Sequence, residues 1–358
     1  MKNIVFWCFT PYHIKVANFL CDSKFKDANK YIILSSFSDV DEEVLMSFIN
    51  ISLYKEVKYI NLNYTIKAIF SNPYKNIKKI RNEVIKFEEF NNYIQPSEVL
   101  IFSDEPIPYQ KYLNSIRNKH IKITLVEEGT AIYLDETTYK FGVKKIVSFY
   151  IRKFIYGYDK ARIFMHSRGE FEDCIIARRP ELINIDRSVE RVKLCDEEFK
   201  KINNVSNKFN IEIDGDNNYI FAPSCTIYNK KIMKKCFEDI FKKFSKENIN
   251  LYVKLHPSEK YKGDIINLIS RYNKNVFLLN DNSITTENLL STSYFKGIIS
   301  DTSSILVNAV YINKDIKTIT YKNYLEYKYK YKFKFNIIIL EKFIEDKIIS
   351  EWDEKIKL

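Results

Sequence analysis

Short apolar runs alternate along this chain with longer polar segments that are compatible with helix. Each apolar run is nearly continuous, which is typical of a strand buried on both faces of a parallel sheet. The repeated order of strand, helix and strand predicts a doubly wound α/β architecture. The predicted strands of the N-terminal half are 3–9, 31–36, 57–62, 99–103 and 121–126, and those of the C-terminal half are 219–222, 251–255, 276–279, 297–300 and 316–320.

The first helix has a well-marked start. Thr10 suits the N-cap because its hydroxyl can accept a backbone hydrogen bond, and Pro11 suits the first helical position because its φ is already helical. Ile14, Ala17 and Leu20 recur on one helical face, which predicts that this face packs on the sheet.

The length of 358 residues, with 46% hydrophobic residues, exceeds one ordinary core and fits two domains. The polar stretch 195–217 is the best linker candidate, so we predict domains at 1–205 and 206–358. This stretch ends in a turn that contains Asp214 and Asp216. Two acids at this spacing can hold a metal-bound nucleotide, but no acidic partner lies near them in the sequence, and we expect no metal site.

Three segments depart from the alternation. Residues 143–162 are basic and amphipathic, which indicates either a helix with a solvated basic face or a helix that contacts anionic lipid. Residues 327–335 alternate Lys with aromatics, as a half-buried strand or a basic surface arm would. The tail, 336–358, is predicted to be helical.

The formal net charge of +11 favours an anionic partner, such as a nucleotide-sugar, a membrane surface or nucleic acid. The cations are dispersed and no nucleic-acid-binding motif is present, so nucleic acid is not an expected partner. The six cysteines form no C-x-x-C pair and lie mostly in apolar runs, as reduced core residues do. The seven glycines form neither a G-x-G-x-x-G loop nor a P-loop.

The N-terminus enters a strand pattern directly, and no apolar run approaches the roughly 18 residues that a membrane span needs. We therefore expect a cytoplasmic protein, with peripheral contact at the inner face of the membrane through 143–162 as a further expectation.

Polar residues follow four of the predicted strands. Ligands of parallel α/β sheets bind beyond the carboxyl ends of the strands, so these residues predict a shared site. They are Thr10, Pro11, Tyr12 and His13 in the first group, Glu127, Glu128 and Gly129 in the second, His256 and Pro257 in the third, and Thr302, Ser303 and Ser304 in the fourth.

Glu127 and Glu128 point to opposite faces if the segment is extended. One carboxylate can then act as a general base while the other makes structural hydrogen bonds. Gly129 allows the chain to turn sharply after the pair. The alternative is a pair of solvated loop carboxylates.

His256 precedes Pro257, which holds the preceding residue extended. An imidazole in this position can bind a phosphate or protonate a leaving group, or simply cap a neighbouring element. Ser303 and Ser304 lie near a helix N-terminus, which favours an anion. Plain N-capping is the alternative role for these hydroxyls.

The acidic-acidic-Gly, His-Pro and Ser-Ser motifs, in this order and after Cys8-Phe9-Thr10-Pro11-Tyr12, resemble those of bacterial sialyltransferases of glycosyltransferase family 52. Those enzymes act on lipooligosaccharide and capsule, and bacterial polysialyltransferases share the three motifs. The resemblance implies a GT-B-like α/β fold with two Rossmann-like domains facing across a cleft. It also implies inverting, metal-independent transfer from CMP-sialic acid without a cofactor.

The resemblance also implies roles for individual residues. Glu127 is the expected general base, with Glu128 as a supporting or alternative carboxylate. His256 is expected to contact the CMP phosphate and to act as general acid or electrostatic stabiliser as CMP leaves. His13 stands where many relatives are expected to have Gln. Donor binding is expected from His256, Pro257, Thr302, Ser303, Ser304 and Ser224, and acceptor contacts from Thr10, Pro11, Tyr12, His13 and Gly129.

These features favour a sialyltransferase that acts on a terminal sugar, such as a galactoside, of a cell-surface oligosaccharide or glycolipid. A polysialyltransferase or another GT-B transferase with a different activated donor is the first alternative. A non-catalytic nucleotide-binding protein of capsule assembly is the second, although pure binding would not need carboxylates. A homodimer is a further expectation.

Overall fold

The structure is a computed structural model, and its residues fall into two compact units. Unit 1 consists of Met1–Ile132 and Tyr139–Cys195, and unit 2 consists of Tyr133–Thr138 and Asp196–Leu358. The residues that the structure describes are 1–36, 42–62, 72–117, 119–134, 142–163, 171–185, 188–203, 213, 215, 217–224, 229–256, 259–280, 285–333, 336–353 and 355–356.

Unit 1 is built on a parallel sheet with helices in the connections. The strands are β1 (Asn3–Cys8), β2 (Asn29–Ser36), β3 (Glu56–Asn61), β4 (Glu98–Ile101), β5 (Lys122–Val126), β6 (Cys174–Ala177) and β7 (Glu190–Lys193). The helices are α1 (Pro11–Ser23), α2 (Glu42–Ser47), α3 (Pro73–Ile94), α4 (Ile107–Arg117) and α5 (Val143–Tyr156).

The strand order of unit 1 is β3-β2-β1-β4-β5-β6-β7, and every pair is parallel. The chain leaves β1 on one side towards β3 and returns to β4 on the other side. The connections therefore diverge between β1 and β4, which opens a crevice at the carboxyl ends of these strands. This is the strand order of a Rossmann-like domain.

Trp7 of β1 fixes the centre of unit 1. Its side chain is fully buried, and its ring stacks on Phe87 of α3 with centroids 4.0 Å apart. The indole N–H donates to Ser35 Oγ on β2 at 2.9 Å, and the same hydroxyl bonds Tyr109 of α4 at 2.8 Å. The indole N–H therefore keeps a hydrogen-bond partner, and burial of the largest side chain of the strand leaves no donor unpaired.

Unit 2 repeats this plan with a shorter set of strands. Its strands are β8 (Asn218–Phe221), β9 (Asn250–Val253), β10 (Val276–Leu278), β11 (Gly297–Ser300), β12 (Lys317–Thr320) and β13 (Ser350–Glu351). Its helices are α6 (Asp196–Asn203), α7 (Lys230–Lys246), α8 (Lys262–Ile269), α9 (Thr286–Leu290), α10 (Ser304–Ile312), α11 (Lys322–Tyr329) and α12 (Ile338–Glu345).

The strand order of unit 2, β10-β9-β8-β11-β12-β13, is again all parallel and again divides beside its first strand. Phe221 of β8 is fully buried, and it packs edge-to-face on Phe237 of α7 with centroids 4.8 Å apart. An aromatic cluster with Phe241 and Tyr321 covers the same face of the sheet. The predicted two-domain α/β architecture is therefore confirmed for both units.

The ten predicted strands lie within a few residues of observed ones, and other segments differ. β6 and β7 were not predicted, because they are short and follow a long polar stretch. Residues 322–329 form helix α11. The interpretation of 327–335 as a strand is therefore wrong for residues 327–329. The tail contains α12, as predicted, and then adds the short edge strand β13 beside β12.

The division between the units falls between Cys195 and Asp196, before the predicted boundary at 205. Residues 196–203, predicted to be linker, form helix α6 instead. Phe199 of this helix is fully buried and packs on Tyr311 of α10, with ring centroids 5.8 Å apart. This apolar anchor, in an otherwise charged segment, assigns the helix to unit 2. The Asp214–Asp216 turn lies largely outside the described residues.

Cys8, Cys21, Cys174 and Cys236 are buried free thiols and Cys195 is an exposed one, in agreement with the prediction of reduced cysteines for these five. Among the described helices, none combines the length and the apolar character that crossing a membrane requires.

We predict that a side chain at position 297, at the start of β11, destabilises the fold. A Cβ at this position would overlap the Tyr219 ring and lie 3.0 Å from the Lys317 carbonyl oxygen. We expect Gly297→Ala to lower the free energy of unfolding by about 1–3 kcal/mol through overpacking. Thermal and urea unfolding measure this loss.

The matched control is Gly263→Ala in α8, where a Cβ meets nothing within 4 Å. This variant should be neutral or gain up to about 1 kcal/mol, because Ala favours helix over Gly. Equal stability of the two variants would contradict the assigned packing at Gly297.

Candidate functional site

The crevice edge of unit 1 contains a buried imidazole, His13, on the first turn of α1. Thr10 caps this helix, and its Oγ1 accepts the His13 N–H at 3.2 Å, while Pro11 occupies the first turn, as predicted. The imidazole is fully buried and stacks on Phe102, with centroids 4.1 Å apart and planes 3° from parallel. The ring is therefore held rigidly.

The hydrogen bonds of His13 define its tautomer. The Phe9 N–H donates to Nδ1 at 3.3 Å, so in the neutral ring the proton resides on Nε2. Nε2 lies 3.4 Å from Glu128 Oε1. This nitrogen is therefore within ion-pair distance of a carboxylate that is 36% exposed, although it makes no hydrogen bond within the described residues. His13 and Glu128, two predicted site residues, meet in one arrangement.

Glu127 occupies a different environment, although it is adjacent in sequence. It is 3% exposed, and its Oε2 accepts the Arg178 N–H at 2.7 Å. Its Oε1 accepts the Arg178 Nε–H at 2.7 Å and also a hydrogen bond from Nη2. Arg178, 1% exposed, directly follows β6, the neighbour of β5. The carboxylate is therefore a buried, fully engaged partner of a buried cation.

Tyr12 and Gly129, which are also predicted for this edge, are half-buried. Their acceptor contacts stay a prediction. Sequence reasoning missed Arg178 and Phe102. The signal for Arg178 was a basic Arg-Arg pair after an apolar run, which becomes informative only once that run is known to be a strand beside β5.

A cavity of about 370 Å³ opens next to the end of β4, where α4 begins. Its basic residues are Lys145, Arg152 and Arg162, and Lys145 pairs with Glu105 at 3.0 Å. Apolar groups such as Phe149 line the rest of the wall. The combination of cations and aromatic surface suits an anionic sugar better than a neutral one.

The corresponding edge of unit 2 is organised by a buried carboxylate, Asp301, which follows β11. Its Oδ1 accepts the Ser224 N–H at 3.0 Å, and its Oδ2 accepts the Ser224 hydroxyl at 2.5 Å. Its backbone carbonyl accepts the Thr320 hydroxyl at 2.6 Å. Asp301 therefore ties together the ends of β8, β11 and β12, and Ser224 acts here as part of that brace.

The N-terminus of α10 lies directly after Asp301. Ser303 is the N-cap and accepts the Ile305 N–H at 3.4 Å, and Ser304 is the first helical residue. Thr302 is 5% exposed, and its Oγ1 has no hydrogen-bond partner within the part of the chain that the structure describes. A buried hydroxyl of this kind at the N-terminus of a helix, where the helix dipole favours negative charge, is an arrangement that an anion would complete.

His256 follows β9, whose neighbour is β8. The imidazole is near the surface, but the protein around it removes part of its water and lowers its pKa below the ordinary value. The carboxylate of Glu259 opposes this shift, and the Glu259 N–H donates to the His256 carbonyl at 2.9 Å. Pro257, the other predicted residue of the motif, lies outside the described residues.

In unit 2, therefore, Ser224, His256 and the Thr302–Ser304 stretch all follow strands of the contiguous set β9-β8-β11. Their strands are parallel neighbours, so their carboxyl ends lie at one edge of the sheet. This edge supplies hydroxyl donors, the N-terminus of a helix and an imidazole. Such a donor set can bind a phosphate.

Solved structures with a similar fold include nucleotide-sugar enzymes. UDP-GlcNAc 2-epimerase from Methanocaldococcus jannaschii superposes with a TM-score of 0.61 at 12% identity, over 99% of this chain and 89% of that chain. UDP-GlcNAc 2-epimerase from Neisseria meningitidis bound to UDP-GlcNAc gives 0.54 at 13% identity, over 86% and 79%. The glycotransferase of kitacinnamycin gives 0.52 at 7% identity, over 99% and 87%.

At these identities the likeness concerns the fold alone, and it confirms the predicted GT-B-like class of two Rossmann-like domains. No curated protein matches the chain by sequence. A family model does match: that of alpha-2,8-polysialyltransferase (POLYST), over residues 4–322. The match confirms the resemblance to sialyltransferases, while assignment to glycosyltransferase family 52 stays a prediction. Because the matched region includes β1, the acidic pair, His256 and the N-terminus of α10, and spans most of the sequence, this chain belongs to the alpha-2,8-polysialyltransferase family.

Proposed function

We propose that this protein transfers sialic acid from CMP-sialic acid to an anionic, sialylated glycan, with inversion and without a metal ion. The observation that carries the proposal is the contrast within the acidic pair. One carboxylate is neutralised by a buried arginine, and its neighbour is half-exposed and contacted by an oriented imidazole. The phosphate-binding donor set of unit 2 and the family membership support the same reaction.

The proposed general base is Glu128. Protonating Glu127 would leave the Arg178 cation buried without its counter-charge, which costs several kcal/mol. The Glu128 carboxylate lies beside an imidazole, and its side chain is 36% exposed, so an acceptor hydroxyl can reach it. Glu127 then takes the structural role, which reverses the roles that the resemblance implied for the two residues.

In the proposed step, Glu128 removes the proton of the acceptor hydroxyl. The acceptor oxygen forms a bond to the anomeric carbon of sialic acid while the bond from that carbon to the phosphate oxygen breaks. The electron pair of the broken bond stays on CMP. His13 acts as a positioning residue, because its buried ring is stacked on Phe102 and lies against the Glu128 carboxylate. General-base catalysis of this kind contributes about 10²–10⁴-fold.

On the donor side, we assign the CMP phosphate to the N-terminus of α10, with Thr302, Ser303 and Ser304 as hydroxyl donors. His256 is the proposed group that stabilises the departing phosphate or protonates it. A transition state of oxocarbenium character develops negative charge on that phosphate, so donors already in place stabilise it without reorganisation. Ser224 contributes indirectly by holding Asp301.

The acidic pair yields a matched test. Glu128→Gln should lower kcat by about 10²–10⁴-fold and leave the melting temperature and CMP affinity unchanged, because only the proton acceptor is lost. Glu127→Gln should lower the free energy of unfolding by about 3–5 kcal/mol, because Arg178 loses its counter-charge. Steady-state kinetics, CMP titration and thermal unfolding separate the two effects. Normal turnover in Glu128→Gln would exclude Glu128 as the base.

We predict that the affinity for the donor depends on pH through His256 and rises as the pH falls. Its lowered pKa means that the imidazole is mostly neutral at pH 7 in the free protein and gains its proton as the pH falls below the ordinary value of about 6.5. Affinity for the CMP-sialic acid phosphodiester, which does not titrate in this range, should therefore rise on acidification. Calorimetry at several pH values measures this rise, and His256→Ala should abolish it. An identical rise in that variant would remove His256 from the phosphate site.

The basic residues of the cavity beside β4 lead us to predict which acceptor the protein prefers. We expect oligosialic acid to be a better acceptor than a neutral galactoside, and Arg152→Ala to raise KM for oligosialic acid several-fold with kcat unchanged. Lys144→Ala, on the same helix but outside the cavity lining, is the control and should leave KM unchanged.

The proposal as a whole is tested by titrating CMP, UMP and UDP in the presence of EDTA and by following sialic acid transfer. Selective CMP binding with transfer to either acceptor supports it, and the acceptor preference then decides between sialylated chains and galactosides. Preference for UDP, or a requirement for metal, contradicts it.

A further inference from the structure

Helix α5 turns its apolar face away from the protein. Of its fourteen residues, Ile155 and Tyr156, at its C-terminal end, are the buried ones. Val143, Val147, Tyr150 and Phe154 are 76%, 51%, 61% and 71% exposed. Their spacing of four, three and four residues places them on one side of the helix. A surface helix normally buries such a stripe, so this arrangement is inverted.

The helix is nevertheless firmly attached, so the exposed stripe is a fixed property of the fold. Arg81 of α3 donates from Nε to the Ile155 carbonyl at 3.2 Å and from Nη2 to the Phe154 carbonyl at 3.1 Å. Gly157, with φ of 61°, ends the helix in the left-handed conformation. On the inner side, Lys145 bonds Glu105 at 3.0 Å. The outward direction of the apolar stripe therefore follows from the way the helix is held.

Helix α3 continues this surface. Tyr74, Lys78, Arg81 and Ile85 recur with the same spacing of four, three and four residues and are all exposed, with Tyr74 at 83% and Ile85 at 46%. Because Arg81 belongs to this stripe and also bonds the end of α5, the two stripes meet there. We call the exposed side chains of both stripes, together with Lys75 and Lys144, the α3–α5 surface.

The charge around the α3–α5 surface selects the kind of partner. The described residues 142–163 contain Lys144, Lys145, Arg152, Lys153, Lys160 and Arg162 against the single acid Asp159. The first half of α3, 73–81, adds three lysines and an arginine without an acid. A second copy docking through the same surface would bring these like charges together, which disfavours a symmetric dimer. The complementary partner is therefore anionic.

The apolar side chains of the surface indicate which kind of anionic partner it binds. Exposed aliphatic and aromatic side chains flanked by lysines match the boundary between lipid headgroups and acyl chains, where Tyr and Phe insert and Lys meets lipid phosphate. We propose that the α3–α5 surface docks the protein on the face of an anionic phospholipid bilayer. This inference does not depend on the proposed transfer reaction, and it specifies the residues behind the lipid contact that the sequence left open.

The test is co-sedimentation of the full chain with phosphatidylcholine vesicles and with vesicles that also contain phosphatidylglycerol. We expect binding to the anionic vesicles and not to the neutral ones, and weakening by salt. The triple variant V147S/Y150S/F154S and the charge variant K75E/K78E/K144E should each lose affinity by about tenfold or more. All six substituted side chains lie on the surface, so circular dichroism and CMP binding should remain those of the native protein.

Tyr327→Ser is the matched control, since Tyr327 is 74% exposed but lies in unit 2. It should bind anionic vesicles like the native protein. Equal binding by the native chain and both α3–α5 variants would overturn the proposal, as would an absence of binding to anionic vesicles. A dimer in solution that the triple variant abolishes, without vesicle binding by the native chain, would assign the surface to a second copy instead.

Discussion

The buried ion pair between Glu127 and Arg178 joins the end of β5 to the end of β6, and the acidic edge of unit 1 depends on it. An ion pair in a dry environment is stable only when the geometry is good and the remaining donors and acceptors are satisfied. Here the carboxylate accepts the backbone N–H of Arg178 and two N–H groups of the same residue's guanidinium. Because Glu127 faces Arg178, the next residue, Glu128, points to the other side of the chain, where His13 lies.

Unit 2 also has a buried carboxylate that joins the ends of neighbouring strands. Asp301 is a buried acid at a strand end, and it bonds the chain that follows the neighbouring strand through both the amide and the hydroxyl of Ser224. In each unit a buried carboxylate fixes loops that would otherwise be independent, and the proposed functional groups come directly after it. They are Glu128 in unit 1, and Thr302, Ser303 and Ser304 in unit 2. The loops are thereby preorganised, which is what transition-state stabilisation requires.

Helix α5 serves two surfaces at once. Its inner side contributes Lys145 and Arg152 to the cavity beside β4, and its outer side carries the apolar stripe of the proposed bilayer contact. The helix carries four cations, Lys144, Lys145, Arg152 and Lys153, and no acid. A protein that acts on anionic glycans next to an anionic membrane would use the same charge for both purposes.

Much of the fold could be read from the sequence because it rests on local rules. The continuous apolar runs predicted the strands near their observed positions, and Thr10-Pro11 predicted the start of α1, because capping and φ preferences act within a few residues. The polar residues 10–13, 127–129, 256 and 302–304 follow strands, as predicted. β6, β7 and α6 were missed, since their stability comes from tertiary neighbours such as Tyr311 and not from their own composition.

What the tertiary structure alone decided is the role of each group. In the sequence, Glu127 and Glu128 are equivalent acids on opposite faces of an extended segment. Which face is buried depends on Arg178, which lies far along the chain and reaches Glu127 only because β6 pairs with β5. The burial of His13 and of the Thr302 hydroxyl, and the outward stripe of α5, likewise depend on contacts between distant segments. Local patterns therefore determined where the candidate groups lie along the chain, and long-range packing decided which of them are buried and which reach solvent.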